Sequence, residues 1–320
     1  MYSIAQKSSN PFFIVGADRS GTTMLRLMLN AHSSFSMPLE SWFLIDLMDS
    51  LPLQSYLSKE QVQQATRIVK NHWRWKEWGI EDDFLQSTLN TLERPTLQKV
   101  IDEIFRLAVP DKRWGDKTPG YVTEISRIFQ VFPEAKFIHI IRDGRDVCAS
   151  LKRTGWRGDS TWAIADYWRK YVKEGQEQGA DLPPGQYMEI SYENLVKFTE
   201  KNLQQICAFL GEPFERNMLK FYEKSEQHLP SRARVNNAKT YRAPRLDDIQ
   251  RWRSKLTRMQ VIVFEAAAWR TMRDAGQTTH FKWLSRFLNP VFEIIWLTAN
   301  LTLPLRKKLK IHFPKLRKQL

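Results

Sequence analysis

The sequence is poor in cysteine, and its first residues contain no long apolar run. Cys148 and Cys207 are its two cysteines. They are far apart and match neither a disulfide framework nor a metal-binding spacing, so we expect buried free thiols in a reducing compartment. Residues 1–16 lack a basic segment followed by an apolar stretch of signal-peptide length. We therefore expect no signal peptide, no N-terminal anchor and a cytoplasmic protein.

Glycine-rich linkers, internal repeats and low-complexity segments are also missing from the 320 residues. An apolar fraction of 42% and a charged fraction of 26% are those of a soluble globular protein. The length permits one large or two medium domains with a substantial core. We predict one domain over residues 1–278, with a helical insertion at about 51–110, and a C-terminal extension over 279–320.

The positive charge is concentrated near the C-terminus. The net charge is +14, and residues 279–320 hold nine Lys or Arg against one Glu, which favours an anionic partner. Residues 281–305 are apolar but interrupted by polar residues and a proline, so they are a poor transmembrane span. They lie next to a basic cluster, which fits either contact with an anionic membrane surface or a helix pair packed on the core. No recognised nucleic-acid-binding module accompanies the charge, so a nucleic-acid partner is not expected.

The chain is organised around residues 11–40. An apolar run, Phe12 to Val15, ends at Gly16, and helical spacing of apolar residues begins at Met24, which predicts strand, loop and helix. Gly16, four residues and then Gly21 approach the P-loop spacing, in which backbone amides and a helix N-terminus face an anion. The same string also fits an ordinary turn rich in small residues.

This loop lacks the lysine that a nucleoside triphosphate site requires after its second glycine. Thr22 and Thr23 follow Gly21 instead, and the nearest cation is Arg19. A triphosphate site needs that lysine for its β and γ phosphates and a hydroxyl for magnesium. The loop therefore suits a single phosphate-like group without a metal, and a P-loop nucleotide-binding or kinase-like protein that hydrolyses ATP is the alternative.

A second strand-to-helix junction follows the buried parallel strand predicted at residues 135–141. Arg142 leaves the strand, Gly144 permits a turn, and Ser150 lies on the next helix.

Further predicted elements are a strand at 186–190, a helix at 199–210, a mobile loop at 224–244 and a long helix at 246–274. Residues 33–38 and 113–121 are predicted to be connections. Tryptophans 73, 75 and 78 are predicted to serve packing, with a substrate-facing wall as the alternative.

The alternation of strands and helices predicts an α/β fold, a parallel sheet flanked by helices. Ligands of such sheets bind at the carboxyl ends of the strands, where both junctions lie.

The two junctions, GADRSGTTML and IIRDGRDVCAS, together resemble the sulfotransferases that use 3′-phosphoadenosine 5′-phosphosulfate (PAPS) and have a P-loop fold. The likeness covers about residues 11–252. It is closest to tyrosylprotein sulfotransferases and their bacterial relatives, in which RSGTT is followed by a helix ending in Ala-His and then by an acidic residue. Arg19 to Thr23, Ala31, His32 and Glu40 occupy those places here.

The resemblance implies two phosphate-holding groups and two catalytic residues. The expected 5′-phosphosulfate contacts are Arg19, Ser20, Gly21, Thr22 and Thr23. The expected 3′-phosphate contacts are Arg142 and Ser150, and the further nucleotide contacts are Tyr192 and Arg242. Glu40 would take the proton of the acceptor hydroxyl, and Lys117 would stabilise the leaving phosphate of the bisphosphate product, PAP. Without the resemblance, Glu40 could equally be a carboxylate near a helix N-terminus and Lys117 a solvated loop lysine.

Sulfuryl transfer makes the same demands independently of any family. It needs a base within about 3 Å of the attacking hydroxyl and cations where negative charge accumulates. No carboxylate cluster suggests a metal. The acceptor could be a peptide tyrosine, a sugar, a lipid or a small alcohol, and a non-catalytic protein of the membrane surface is a further alternative.

Overall fold

The computed structural model describes residues 10–225, 239–291 and 294, and these contain a five-stranded sheet covered by helices. The strands, numbered along the chain, are β1 (Phe12–Val15), β2 (Phe35–Ser36), β3 (Arg113–Asp116), β4 (Lys136–Ile141) and β5 (Tyr187–Ser191). They pair in the order β2-β3-β1-β4-β5, and every pair is parallel. The predicted α/β fold with a parallel sheet is confirmed.

Helices connect these strands, as parallel pairing requires. They are α1 (Thr22–Asn30), α2 (Phe43–Ser50), α3 (Lys59–Asn71), α4 (Asp82–Asn90), α5 (Leu97–Ala108), α6 (Ile125–Val131), α7 (Gly144–Thr154), α8 (Thr161–Ala180), α9 (Tyr192–Lys197), α10 (Thr199–Leu210), α11 (Trp252–Lys255) and α12 (Arg258–Asp274). Residues 282–291 are also helical.

The core lies on both faces of β1, whose four side chains are fully buried. Phe13 and Val15 pack with the apolar residues of α2 to α6, whereas Phe12 and Ile14 pack with those of α1 and α10. Successive strand residues point to opposite faces. A continuous apolar run is therefore what a central strand covered on both sides requires.

The predicted helical insertion contains α3, α4 and α5, whose apolar faces join the same cluster as Phe13. Trp75 is buried, and Trp78 packs edge-on against Phe43 and Phe105 with ring centroids 5.3 and 5.1 Å apart. The packing interpretation is wrong for Trp73, which is 55% exposed. The division of the chain into residues 1–278 and 279–320 stays a prediction.

Two predicted connections contain strands. Residues 33–38 include β2, and residues 113–121 include β3, which lies between β2 and β1. Gly115 in β3 faces Phe12, and a Cβ at that position would lie 2.6 Å from the Phe12 ring. The glycine that suggested a loop is therefore needed for close packing between neighbouring strands.

The single long helix predicted at 246–274 is wrong. This stretch is divided into three separate elements, which are a short helical turn at Leu246–Asp248, α11 and α12. Thr257 starts α12 with a capping box, in which its Oγ1 accepts from Gln260 N at 3.3 Å and its own N–H donates to Gln260 Oε1 at 2.8 Å. Such a box fixes a helix start. Most of the predicted loop at 224–244, residues 226–238, lies outside the described residues.

The helix at 282–291 packs on α12. Asn289 Nδ2 donates to the Ala266 carbonyl oxygen at 2.8 Å, and Ser285 Oγ donates to Glu265 Oε2 at 3.2 Å. Of the predicted C-terminal extension, residues 292–293 and 295–320 lie outside the described residues. Within residues 10–225 and 239–291, no helix combines the length and apolar character needed to cross a membrane.

Candidate functional site

The loop after β1 has positive φ angles, which glycine adopts readily and most other residues do not. Gly16 has φ 148° and Gly21 has φ 97°. A Cβ on Gly16 would lie 2.5 Å from the Ile140 carbonyl oxygen, and one on Gly21 would lie 2.4 Å from the Tyr192 ring. Both glycines are therefore required by conformation and by space. Arg19 also has a positive φ, 68°, a strained conformation of the kind found at functional sites.

The loop leads into the N-terminus of α1 with polar groups available for a ligand. No side-chain hydrogen bond caps this nine-residue helix among the described residues, and the first amides of a helix have no intrahelical acceptor. In the same described part of the chain, Ser20 Oγ is buried without a hydrogen-bond partner. The helix dipole adds partial positive charge at this end, so the arrangement can hold an anion.

The second junction contacts the first directly. Arg142 Nη1 donates to the Arg19 carbonyl oxygen at 3.0 Å, and Arg19 Nε donates to Ser150 Oγ at 3.1 Å. The Arg142 guanidinium lies over the Tyr192 ring, 4.3 Å from its centroid. Burial lowers the pKa of Arg19 to about 10, with Arg153 and Arg142 adding to the effect. Two loops more than 120 residues apart in sequence thus form one cationic region.

A cavity of about 640 Å³ lies at this meeting point. Among its lining residues are seven of the eleven predicted site residues: Arg19, Gly21, Thr22, Thr23, Arg142, Ser150 and Tyr192. Five further cations line it that the sequence analysis did not single out as site residues: Lys152, Arg153, Lys239, Arg251 and Lys255. Among the residues that the structure describes, the acidic lining residue is Asp146. Such a charge balance concentrates anions.

Part of this additional cationic set could have been found from the sequence. Lys152 and Arg153 follow Ser150 within α7, less than one turn further along. Lys239 lies in the predicted loop at 224–244, and Arg251 and Lys255 lie in the stretch predicted as one long helix, so no local signal places them at the cavity. Burial and the nearby Arg142 lower the pKa of Lys239 to about 8, although Asp248 opposes the shift.

Arg242 is not among the lining residues. Its guanidinium donates to both carboxylate oxygens of Asp248, at 2.8 and 2.7 Å. The backbone carbonyl of Asp248 in turn accepts from Arg142 Nη2 at 3.1 Å. Arg242 is therefore connected to the cavity through Asp248.

Glu40 and Lys117 form an ion pair at the carboxyl end of β3. Lys117 Nζ contacts Glu40 Oε1, whereas Oε2 accepts from Arg74 Nη2 at 2.7 Å and from Trp42 Nε1 at 2.9 Å. Burial alone would raise the pKa of Glu40, but Lys117 and Arg74 outweigh it and hold the pKa at about 2. Glu40 is thus firmly ionised, and both of its oxygens are engaged.

Arg74 is a member of this cluster that the sequence analysis missed. It follows α3 in the helical insertion, stacks 4.0 Å from the ring centroid of Trp73, and donates to Glu77 at 2.8 Å. No spacing rule links it to Glu40, because the two residues are 34 apart and meet only through tertiary packing.

Arg26 and Asp116 complete the charged surroundings of Lys117. Arg26, on α1, is buried and donates to the Pro38 carbonyl oxygen at 2.9 Å. Asp116 is also buried, and neither of its oxygens makes an ordinary hydrogen bond within the described residues. Burial raises the pKa of Asp116 to about 6, although the neighbouring Thr118 and Ser41 side chains and the charge of Lys117 oppose the shift. Arg26 joins this cluster to the helix that begins at the anion-binding loop.

His32 is not available as a base in this structure. Its Nδ1 accepts from the Ser34 N–H at 3.0 Å, and its Nε2 lies 2.8 Å from the Pro213 carbonyl oxygen. Within the described ranges, no group of three or more His, Cys, Asp or Glu is arranged to hold a metal ion.

Comparison with known proteins gives one family. The sequence profile described as "Sulfotransferase family" matches residues 11–216. An uncharacterised protein of Aquifex aeolicus is 26% identical over 235 residues, which are 68% of this chain and 27% of that protein. A protein-tyrosine sulfotransferase of Drosophila melanogaster is 28% identical over 212 residues, 65% of this chain and 39% of its own. The chain thus spans well under half the length of these two relatives.

Solved structures agree on the fold. The sulfotransferase domain from the curacin biosynthetic pathway superposes with a TM-score of 0.61 at 22% identity, over 84% of this chain and 98% of that domain. At this identity the likeness concerns the fold alone, whereas the profile match covers more than half of the sequence and both junctions. The chain belongs to the sulfotransferase family.

Proposed function

We propose that this protein transfers a sulfuryl group from PAPS to a hydroxyl acceptor. The observation that carries the proposal is the joining of the two junctions, because Arg142 donates to the Arg19 carbonyl oxygen at 3.0 Å at the edge of a cation-lined cavity. A molecule with phosphate groups at two positions needs two such anion sites a short distance apart. Membership of the sulfotransferase family supplies the reaction class.

The cavity fits a phosphate-bearing nucleotide on three counts. Among the described residues, seven cations line it, the buried Ser20 Oγ of the adjoining loop has no partner, and the missing Cβ of Gly21 lets the Tyr192 ring pack against that loop in the cavity lining. We assign the 5′ end to residues 19–23, a P-loop-type cradle, and the 3′-phosphate to Arg142 and Ser150. In the structure, Arg19 and Ser150 bind each other, so a bound nucleotide would exchange this contact for its own.

Tyr192 and Arg242 have unequal support as nucleotide contacts. Tyr192 lines the cavity beneath Arg142 and is 4% exposed. A direct contact from Arg242 would require its guanidinium to leave Asp248, to which it donates twice. We therefore expect Tyr192 to affect nucleotide affinity more than Arg242 does.

Glu40 and Lys117 are proposed as the catalytic pair. When bound, PAPS supplies the sulfuryl group and a phosphate leaving oxygen. Glu40 Oε1 would accept the proton of the acceptor hydroxyl, and Lys117 Nζ would turn from Glu40 towards the leaving phosphate, whose negative charge grows as its bond to sulfur breaks. Arg74 and Trp42 would keep Oε2 in place meanwhile, since both donate to that oxygen in the structure. As Lys117 leaves, the pKa of Glu40 rises and the carboxylate becomes a better base.

The acceptor and the compartment are part of the same proposal. The names of curated relatives make peptide tyrosine the first acceptor to test, and a sugar, a lipid and a small alcohol follow.

A cytoplasmic location is supported by Cys148 and Cys207, which are buried free thiols as predicted. Burial raises their thiol pKa values, to about 12 and about 11, so both are poorly reactive.

Two measurements on purified protein test the proposal separately for chemistry and binding. With radiolabelled PAPS and a tyrosine peptide, Glu40→Gln should lower the transfer rate by roughly 10² to 10⁴. Its affinity for PAP should stay within about twofold, because its effect lies in proton transfer. Glu77→Gln is the matched control, since it removes a carboxylate that contacts Arg74 but not the proposed base pair. Equal rates for Glu40→Gln and wild type would reject the base assignment.

Arg142→Ala tests the nucleotide site by calorimetry with PAP. Loss of a charge-assisted contact should weaken binding by about 10- to 100-fold. ATP with magnesium, titrated in parallel, should bind far more weakly than PAP. Unchanged affinity of Arg142→Ala for PAP, or a preference for ATP, would contradict the proposed cofactor.

A further inference from the structure

The helix at residues 282–291 carries an exposed apolar stripe that nothing in the proposed reaction uses. Trp283 is 82% exposed and Phe287 is 80% exposed, and Val291 and Ile294 follow at 53% and 61%. Trp283, Phe287 and Val291 recur every four residues, so they lie along one side of the helix. Single exposed apolar residues are common, but a contiguous stripe with two aromatic rings marks an interaction surface.

The opposite side of this helix is fixed to the core. Ser285 and Asn289 are buried and hydrogen-bond to α12, and the Glu265 carboxylate accepts from the N–H groups of His280 and Phe281 at 2.7 and 2.8 Å. Buried contacts therefore set the orientation of the helix. The apolar stripe is held outward instead of being able to turn towards the core.

Charge decides which partner suits the stripe. Lys282 and Arg286 are exposed on the same helix, and the sequence beyond it continues with apolar residues and then seven Lys or Arg between 306 and 318. A second copy of a chain with net charge +14 would be repelled. The basic segment of the same chain would likewise bring cations against Lys282 and Arg286. An anionic bilayer surface offers both apolar depth and negative charge.

We propose that the outward face of helix 282–291, with Trp283 and Phe287 as its two aromatic anchors, docks this protein on an anionic membrane surface. The aromatic rings and aliphatic side chains enter the interfacial layer, where amphipathic rings are favoured. Lys282 and Arg286 contact lipid phosphates or carboxylates at the rim. The sequence suggested either packing on the core or contact with an anionic membrane surface for this segment. In this proposal one side of the helix packs on the core and the other side contacts the membrane.

Cosedimentation of the full chain with vesicles tests the surface without measuring activity, so its result is independent of the proposed reaction. The vesicles are pure phosphatidylcholine or phosphatidylcholine mixed with phosphatidylserine, at about 0.1 M salt. Trp283→Ser/Phe287→Ser should weaken binding to the anionic vesicles at least about tenfold. Lys282→Gln/Arg286→Gln should weaken it roughly fivefold per charge removed and should leave binding to neutral vesicles unchanged.

A control variant removes two exposed aromatic side chains elsewhere on the surface. Phe84 and Phe198 are 57% and 58% exposed, on α4 and just before α10. Phe84→Ser/Phe198→Ser should bind vesicles as wild type does. Because every substituted residue is exposed, all variants should keep the wild-type thermal unfolding temperature.

Three results would overturn the proposal. The first is wild-type vesicle binding by Trp283→Ser/Phe287→Ser, and the second is equal binding to neutral and anionic vesicles. The third is self-association of the wild type, without vesicle binding, that disappears in Trp283→Ser/Phe287→Ser. That last result would assign the stripe to a contact between copies of the chain.

Discussion

Arg74→Gln is the most informative single substitution, because it removes one of the two cations that hold Glu40. Arg74 Nη2 lies 2.7 Å from Glu40 Oε2, and the Glu40 side chain is 21% exposed. The variant keeps a polar side chain at this position and leaves Lys117 on Oε1. The variant therefore shows how far Arg74, which comes from the helical insertion, controls the pKa of Glu40 while Lys117 still contacts that carboxylate.

The magnitude follows from the pKa of Glu40, which is about 2 against an ordinary value of 4.5. A neighbouring opposite charge lowers a carboxyl pKa by roughly 1–3 units, so loss of Arg74 should raise that of Glu40 by about 1–2 units. One unit corresponds to about 1.4 kcal/mol. Because the folded pKa is depressed, this stabilisation is present above about pH 4.5 and is lost as the pH falls towards 2. Arg74→Gln should thus lower the free energy of unfolding at pH 7 by about 1–3 kcal/mol.

The assay is a carbon-13 NMR titration of protein labelled at the glutamate carboxyl carbon, with Glu40→Gln identifying the resonance. The acidic limb of kcat/KM against pH reports the same free-enzyme group and should move in the same direction. Glu77→Gln, which removes the other carboxylate on Arg74, should leave the Glu40 titration nearly unchanged. If the Glu40 resonance titrates identically in Arg74→Gln and wild type, the ion cluster does not control the base and the reasoning is wrong.

Three further predictions concern the site and its support. Gly21→Ala should weaken PAP binding at least about tenfold in calorimetry, because its Cβ would lie 2.4 Å from the Tyr192 ring; wild-type affinity would contradict this. Asp116→Asn should raise the free energy of unfolding at pH 7.5 by about 1–3 kcal/mol, since burial raises the folded pKa to about 6 from 3.8. This gain in the free energy of unfolding should vanish below about pH 3.8. Lower stability of Asp116→Asn than of wild type in urea at pH 7.5 would refute the prediction. Glu265→Gln should cost about 3 kcal/mol in urea unfolding, because Arg145 loses a buried partner at 2.6 Å; a change below the error of the assay would contradict it.

The sequence was sufficient for the parts of the fold that depend on local pattern. The apolar runs of β1 and β4, the glycines of the first loop, and Gly211 after α10 are short-range signals. They predicted an α/β sheet and the two junctions at its edge. The resemblance added roles for residues that a pattern alone leaves ambiguous, such as Glu40.

What the sequence could not supply depends on tertiary contact. β3 contains Gly115 and Asp116, which favour a loop locally, and it forms a strand because Phe12 covers Gly115. Arg74 reaches Glu40 across 34 residues, and Lys255 reaches the cavity from α11. No periodicity in the sequence predicts which tertiary contacts such long side chains make. The break in the helix predicted at 246–274 differs from these cases, because the Thr257 capping box that starts α12 is a local signal readable in the sequence.

Glu265 contacts two parts of the molecule that would otherwise be treated as separate. One of its oxygens accepts from Arg145, which is paired with Asp143 in the second junction, and the same carboxylate binds the backbone just before helix 282–291. A tilt of that helix would therefore be transmitted to the turn that positions Arg142. If the helix does rest on a bilayer, nucleotide affinity should differ between protein on vesicles and protein in solution, and Glu265 is the carboxylate through which the two would communicate.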